Sequence, residues 1–448
     1  MAFAELERLC ADIAAVAPVR PVGRVAAVSR GTILVRGLGS EAAQGEGVRI
    51  TCAGGRVLAG EVLALSAEAV TVLPDGAPDG VQLDDTVELT GQGGIAPCAD
   101  WIGRIVDPDG RPLDGRALRR GPEERPLHAA PPPAALRRRL GARLPTGVAV
   151  FDTLLPLVQG QRIGLFAGSG VGKSSLLGKF ARGVAADVVV IALIGERGRE
   201  LREFVETVLG PEGMARSVIV AATSDQSPLM RRRCGWAAMA VAEHFRDEGC
   251  HVLFLADSVT RFAEAHREVA LAAGEPATLR GFPPSTSHQI MALAERAGPG
   301  REGCGDITAV FSVLVAGSDM EEPVADILRG VLDGHVVLDR AIAERGRFPA
   351  IDLLRSVSRS LPAAASAEEN RLIAEARRLL GAYDRAEMMI QAGLYATGSD
   401  PLIDAAIRVW PALDGFLAED GAGGVAASFA RLAAALAAAE PGGSGGHG

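Results

Sequence analysis

At 448 residues the chain exceeds what one hydrophobic core organises, so two or three domains are expected. Its usage, 48% hydrophobic and 23% charged, is that of a globular protein, and with aromatics at 4% the cores must be built from Ala, Val, Leu and Ile. The formal net charge of −9 argues against broad, sequence-independent binding of nucleic acid, which needs Lys and Arg to neutralise phosphates, and no nucleic-acid partner is expected.

In chain order, residues 3–16 place Phe3, Leu6, Leu9, Ile13 and Val16 near a 3-4 repeat, the mark of an amphipathic helix over residues 1–20 that Pro18 and Pro21 end. Its stripe either packs on its own domain or docks on a partner or membrane surface. Residues 21–95 change to short Val/Ile/Leu runs broken by glycines, which reads as a small β-barrel or sandwich. Residues 96–146 read as a connector, with Pro122, Pro126 and Pro131 to Pro133 leaving little regular structure. Over 147–365, runs such as RIGLFAG, VVVIALIG, SVIVAAT, HVLFLAD and ITAVFSVLV alternate with helical stretches, the signature of an α/β fold with a mostly parallel sheet covered on both faces. Residues 366–440 are helical and Ala-rich, and the tail 441–448 has nothing to bury and is expected to be disordered.

The six cysteines (Cys10, Cys52, Cys98, Cys234, Cys250, Cys304) stand far apart with no C-x-x-C pair, and the seven histidines show no metal-binding spacing. Thiols in a reducing compartment are the expectation. No apolar run approaches the roughly 20 residues of a spanning helix, and the N-terminus lacks the apolar centre of a secretory signal, so a cytoplasmic location is expected.

The strongest local signal is GLFAGSGVGKSSLL at 164–177, a strand feeding a glycine-rich loop that opens a helix. Backbone N–H groups across Gly168, Ser169, Gly170, Val171 and Gly172, continuing to Ser175, suit a phosphate; Lys173 reaches the β/γ-phosphates and the Ser174 hydroxyl ligates Mg²⁺. Ala167 stands where the usual pattern begins with glycine. Glu196, at the end of the next apolar strand, can polarise an attacking water, although a charged surface turn is the competing reading. Asp257 closes the strand HVLFLAD, as a Mg²⁺-side carboxylate requires and as an ordinary helix cap also would.

Beyond these elements the chain resembles the flagellar export ATPases, the type III secretion relatives of the rotary ATP synthase catalytic subunit. The resemblance runs in order from GRIVDPDGRPLDG (103–115) through GLFAGSGVGKSSLL, GERGRELREFVE, ADSVTRFAEAHREVALAAGEP, RGFPPS, DGHVVLDR and FPAIDLLRSVSR to LYATGSDPLIDAAIR (394–408). It implies an N-terminal β-barrel, a RecA-like P-loop ATPase core and a C-terminal helical domain, in a homohexamer with active sites at subunit interfaces and ATP and Mg²⁺ as ligands. Carried over residue by residue, it makes Lys173 and Ser174 the phosphate and Mg²⁺ ligands. Glu196 becomes the base, Arg197 an organiser of the phosphate site and Asp257 the Mg²⁺-side carboxylate. Arg359 is similar to an arginine finger that enters the neighbouring subunit's site, Phe348 to the family's adenine-stacking tyrosine, and Tyr395 to a second wall of the base pocket. The partners implied are a stator-like negative regulator at the N-terminal helix, export chaperone–substrate complexes and the membrane export gate, with peripheral association at the inner face of the membrane. The stretch Ser285-Thr286-Ser287-His288 is more polar than in relatives.

The phosphate loop looks closer to the flagellar than to the injectisome branch. An injectisome ATPase, a rotary synthase catalytic subunit and a Rho-type RNA translocase are the alternatives. The last would need stacking aromatics in the barrel, and residues 22–95 contain no Phe, Tyr or Trp.

Overall fold

The computed structural model describes residues 19–29, 31–315, 320–437 and 439. The helix expected at 3–16 and the tail at 441–448 lie outside the described residues.

Strands β1 (Val22–Val28), β2 (Ile33–Arg36), β3 (Gly47–Thr51), β4 (Val57–Leu65), β5 (Val70–Pro74) and β6 (Thr86–Gly91) close into an antiparallel barrel in the order β1-β2-β5-β4-β3-β6. Alternation along each strand sends Val25, Ile33, Val35, Val48, Ile50, Val62, Val72 and Val87 inward, where all are buried. Branched aliphatics alone fill so narrow a barrel. Gly60 is required there, because a Cβ would stand 2.7 Å from the Leu73 carbonyl oxygen on the neighbouring strand.

A short ladder of β7 (Gly94–Ile95) with β9 (Arg125–Pro126) follows the barrel. The second sheet contains β8 (Arg104–Val106), β10 (Arg162–Ala167), β11 (Val188–Glu196), β12 (Ser217–Thr223), β13 (Val252–Asp257), β15 (Asp306–Leu314), β16 (Gly334–Leu338) and β17 (Ile351–Ser358). Their order is β17-β16-β10-β15-β13-β11-β12-β8, with β14 (Gly298–Pro299) on β15. All pairs on the path are parallel except β16 with β17. The edge strand β8 comes from the stretch read as a connector. Three residues are too few to show a period, so only its pairing with β12 reveals it.

Helices α1 (Ala149–Asp152), α2 (Lys173–Gly183), α3 (Gly198–Glu203), α4 (Gly210–Met214), α5 (Pro228–Asp247), α6 (Val259–Ala272), α7 (Ser285–Arg296), α8 (Pro323–Val331) and α9 (Arg340–Glu344) cover the sheet, with a π-helical turn, Phe204–Leu209, between α3 and α4. Successive residues of the buried strands face opposite layers. Leu165, Ile191, Leu193 and Leu255 join α2 in one core cluster, whereas Phe166, Val190, Ala192 and Phe254 join α5 to α7 in another. The first cluster continues into the C-terminal helices α10 (Ala367–Gln391), α11 (Pro401–Phe416) and α12 (Gly424–Ala437) through Ile373, Leu379, Val409 and Leu432. Ser366 and Glu369 form a capping box that starts α10. The polar run from Ser285 to His288 is the first turn of α7, with Ser285 Oγ donating to Glu275 (2.6 Å) and paired with His266 Nε2 (2.8 Å).

Candidate active site

The phosphate loop leaves β10 after Ala167 and enters α2 at Lys173. Gly170 (φ +77°) and Gly172 (φ +84°) take left-handed conformations that an L side chain resists, so the glycines fix the loop's path. Val171 is buried in the core beneath it. Helix α2 is held by Leu176, Leu177, Phe180 and Ala181, which leaves its first turn, with Ser174 and Ser175, open to solvent. A cavity of about 930 Å³ opens over this loop, lined by Gly168 to Gly170, Gly172 to Ser175, Glu196 and Arg197.

The adjacent strands β11 and β13, with the first turn of α2, bring three charges together. The Lys173 ammonium contacts the Asp257 carboxylate closely and lies 3.9 Å from Glu196 Oε1. Asp257 is 3% exposed and also accepts from Ser312 Oγ on β15 (2.8 Å). Burial, reinforced by the neighbouring Asp257 charge and opposed by Lys173, pushes the Glu196 carboxyl up to about 7. Glu200, one turn on, is lowered chiefly because its carboxylate accepts from Glu196. The site thus holds a buried carboxylate, a cation between two acids and an exposed hydroxyl, which is the donor set a Mg–triphosphate needs from a protein, since Mg²⁺ keeps much of its water and substrate oxygen shell. Among the described residues no group of three or more His, Cys, Asp or Glu side chains stands ready to hold a metal alone, so the phosphates themselves would have to supply ligands.

Other expected residues fall in different places. Arg197 is exposed and pairs with Glu200 at 2.8 Å. Phe348 is 49% exposed, and its ring lies 3.1 Å from where a Cβ on Gly172 would stand, so ring and loop touch. Tyr395 does not line the cavity; its hydroxyl donates to Asp404 Oδ1 or the Asp400 carbonyl, both at 3.0 Å. Arg359 is not part of this chain's site. It follows β17, its amide donates to Asp333 ahead of β16 (3.0 Å), and Asp333 also bonds Arg162 at the start of β10. Six residues of β10 separate that end of the sheet from the phosphate loop, about 17 Å.

Sequence reasoning missed Arg261 and Arg231, which also line the cavity, and Ser312. Arg261 stands four residues after Asp257, one turn into α6, so helical spacing from the strand end offered a signal. Arg231, within MetArgArgArg on α5, offered none.

Residues 147–358 match the family model of the ATP synthase alpha/beta family, nucleotide-binding domain, and 365–437 that of the T3SS EscN ATPase C-terminal domain. The flagellum-specific ATP synthase of Caulobacter vibrioides is 44% identical over 93% of this chain and 95% of its own length. This chain belongs to the flagellum-specific ATP synthase and type III secretion ATPase family. Another member, the type 3 secretion system ATPase of Sinorhizobium fredii, is 45% identical over 81% of this chain and 80% of its own. Among solved family structures, the assembled ATPase EscN of the enteropathogenic E. coli type III secretion system superposes with a TM-score of 0.85 at 37% identity, covering 92% of this chain and 100% of that one. EscN has also been solved in complex with its central stalk EscO. The family's barrel, nucleotide-binding sheet and C-terminal helices are those described above, and its activity is ATP hydrolysis.

Proposed function

We propose that the chain energises flagellar type III protein export by hydrolysing Mg-ATP at sites shared between neighbours in a homohexameric ring. The observation that carries the shared-site reading is the position of Arg359, exposed at the end of the sheet opposite the phosphate loop of its own chain. An arginine so placed serves a phosphoryl group only in a neighbour, where a guanidinium supplied in trans contributes about 10³–10⁵ in rate in other NTPases.

Within one chain, the loop from Gly168 to Ser175 binds the phosphates through its N–H groups and the start of α2. Lys173 leaves Asp257 for the β/γ-phosphates, and the Ser174 hydroxyl and Asp257 hold the metal side. A Mg²⁺ held there by Ser174 and Asp257 would supply charge neutralisation for the transferring group. Glu196 orients and deprotonates the attacking water, Arg197 and Arg261 organise the phosphate side, and Phe348 stacks on adenine, with Tyr395 as the second wall of the base pocket. The partners are those of export: a stator-like regulator on the N-terminal segment, chaperone–substrate complexes and the membrane gate, met at the inner face of the membrane from the cytoplasm. No described helix is long and apolar enough to cross a membrane.

The flagellar reading is supported by the flagellum-specific relatives, among them that of Salmonella typhimurium at 48% identity over 70% of this chain. The injectisome reading is the second, favoured by the Sinorhizobium relative. The barrel's aliphatic interior and lack of aromatics speak against RNA translocation. The test is the Mg-dependent ATPase rate per chain against protein concentration, for wild type and Arg359→Ala. A rate that climbs with concentration in wild type alone supports shared sites; a concentration-independent rate in both proteins removes them.

A further inference from the structure

Three consecutive arginines at the start of α5 leave the helix in three directions. Arg231 turns into the phosphate cavity, where Nη2 pairs with Glu268 (2.9 Å) and Nε donates to the Gln226 carbonyl (3.2 Å). Arg232 turns toward the barrel: its Nη2 donates to Glu61 Oε1 on β4 at 2.5 Å, and its guanidinium lies 4.9 Å over the Trp236 ring. Arg233 reaches Asp109 (3.2 Å) and, more distantly, Glu61 (3.8 Å). Just ahead, Ser227 caps the helix by accepting from the Met230 amide (3.2 Å), while its own hydroxyl donates to Asp75, directly after β5. Leu229 packs with Leu63 and Leu73 of the barrel and Val269 of α6.

The first turn of α5 is therefore fastened to the barrel on one side and faces the nucleotide cavity on the other. The joint is not packed solid, since a cavity of about 520 Å³ lies beside the Glu61–Arg232 pair, between barrel and helices α5 to α7. Both partners of the pair are 9% exposed. At that burial a charge cannot be left unpaired cheaply, so the pair fixes one register of barrel against helix rather than adding net stability.

We propose that Glu61 and Arg232 are positioning residues for the ATPase site: the barrel, gripping Arg232, sets the placement of Arg231 one residue away. Arg231 Cδ stands 3.5 Å from where a Cβ on Gly195 would lie, so its stem rests against the backbone immediately before Glu196. Adjacent residues of a hydrogen-bonded helix turn together, so a shift of the first turn against the barrel carries Arg231 across the face of the phosphate cavity and past Glu196. Small displacements of groups that organise a transition state are costly in rate while leaving ground-state affinity nearly intact. The inference rests on reading the cavity as the ATP site.

The test is a double-mutant cycle on the full chain. In Glu61→Leu/Arg232→Met the ion pair is replaced by apolar side chains of similar length, which preserves folding where a single change would strand a buried charge. The melting temperature is to remain that of wild type, while kcat falls on the order of tenfold and KM for ATP moves by less than about twofold. Affinity for ADP with aluminium fluoride, a mimic of the transferring phosphoryl group, falls by the same factor and affinity for ADP alone does not. In an Arg231→Gln background the same double replacement lowers kcat no further, because its effect runs through Arg231. Wild-type kcat in the folded double variant overturns the inference, as does a fall of the same size with Arg231 already replaced. A wild-type chain without Mg-ATPase activity would instead remove the ATPase reading itself, and the inference with it.

Discussion

Replacing Phe348 with Ala separates nucleotide binding from chemistry. The ring is about half exposed and abuts the phosphate loop at Gly172, with ring carbons 3.1 and 3.3 Å from the place of a Cβ there. Full burial of such a side chain contributes about 1.5–3 kcal/mol, so its loss from a half-buried position costs the fold about 1 kcal/mol, a shift of a few degrees at most in melting temperature. A base stacked on the free face gains about 1–2 kcal/mol, which becomes a rise of roughly five- to thirtyfold in KM for ATP. Stacking on adenine acts away from the transferring phosphoryl group and is the same in ground and transition states, so kcat should hold. Steady-state ATPase assays across ATP concentration, with Phe348→Tyr as the variant that keeps the π-face, read both quantities. A KM within about twofold of wild type in Phe348→Ala, or a loss that falls on kcat alone, would refute the placement of adenine at Phe348.

Replacing Glu196 with Gln keeps the shape of the half-buried side chain and removes the proposed base; kcat should fall by about 10²–10⁴ while ATP binding, followed by equilibrium titration, stays within a few fold. Full turnover in that variant would exclude Glu196 as base. His266, 5% exposed, is held neutral: burial above all, then the Arg232 charge, lowers it to about 4, against a smaller opposing pull from Glu275. The unfolded chain binds that proton with a pKa near 6.5, so stability is complete above about pH 6.5 and is lost as pH falls toward 4, by up to roughly 3 kcal/mol. Urea unfolding between pH 4 and 7 should show that slope in wild type and a shallower one in His266→Gln; equal slopes would refute it.

The parallel core was legible because its strands are continuous apolar runs, most of them buried along almost their whole length and alternating with helical stretches. The phosphate loop was legible for a different reason: Gly170 and Gly172 mark left-handed backbone, and Lys173 and Ser174 open a helix whose apolar residues recur at 176, 177, 180 and 181. Glu196 and Asp257 were found as carboxylates at the ends of strands, and the paired register of β11 with β13, Leu193 opposite Asp257, explains why strand ends meet there. What sequence withheld depends on contacts between distant segments. Strand β8 is defined only by its partner, and Arg231 and Ser312 reach the site from helix and strand positions whose neighbours give no local pattern. The opposite placement of Arg359 follows from the antiparallel turn of β17 onto β16, which no periodicity announces.

The central claim, that each site is completed by Arg359 of a neighbour, is tested most directly by mixing two inactive chains. Glu196→Gln supplies an intact Arg359 and Arg359→Ala an intact Glu196. In a randomly mixed ring about a quarter of the interfaces would join the intact halves. If sites are shared, the mixture regains ATPase activity that neither variant has alone, to about that fraction of wild type. Activity that stays at the level of the separate variants, in rings shown to contain both chains, would contradict the account.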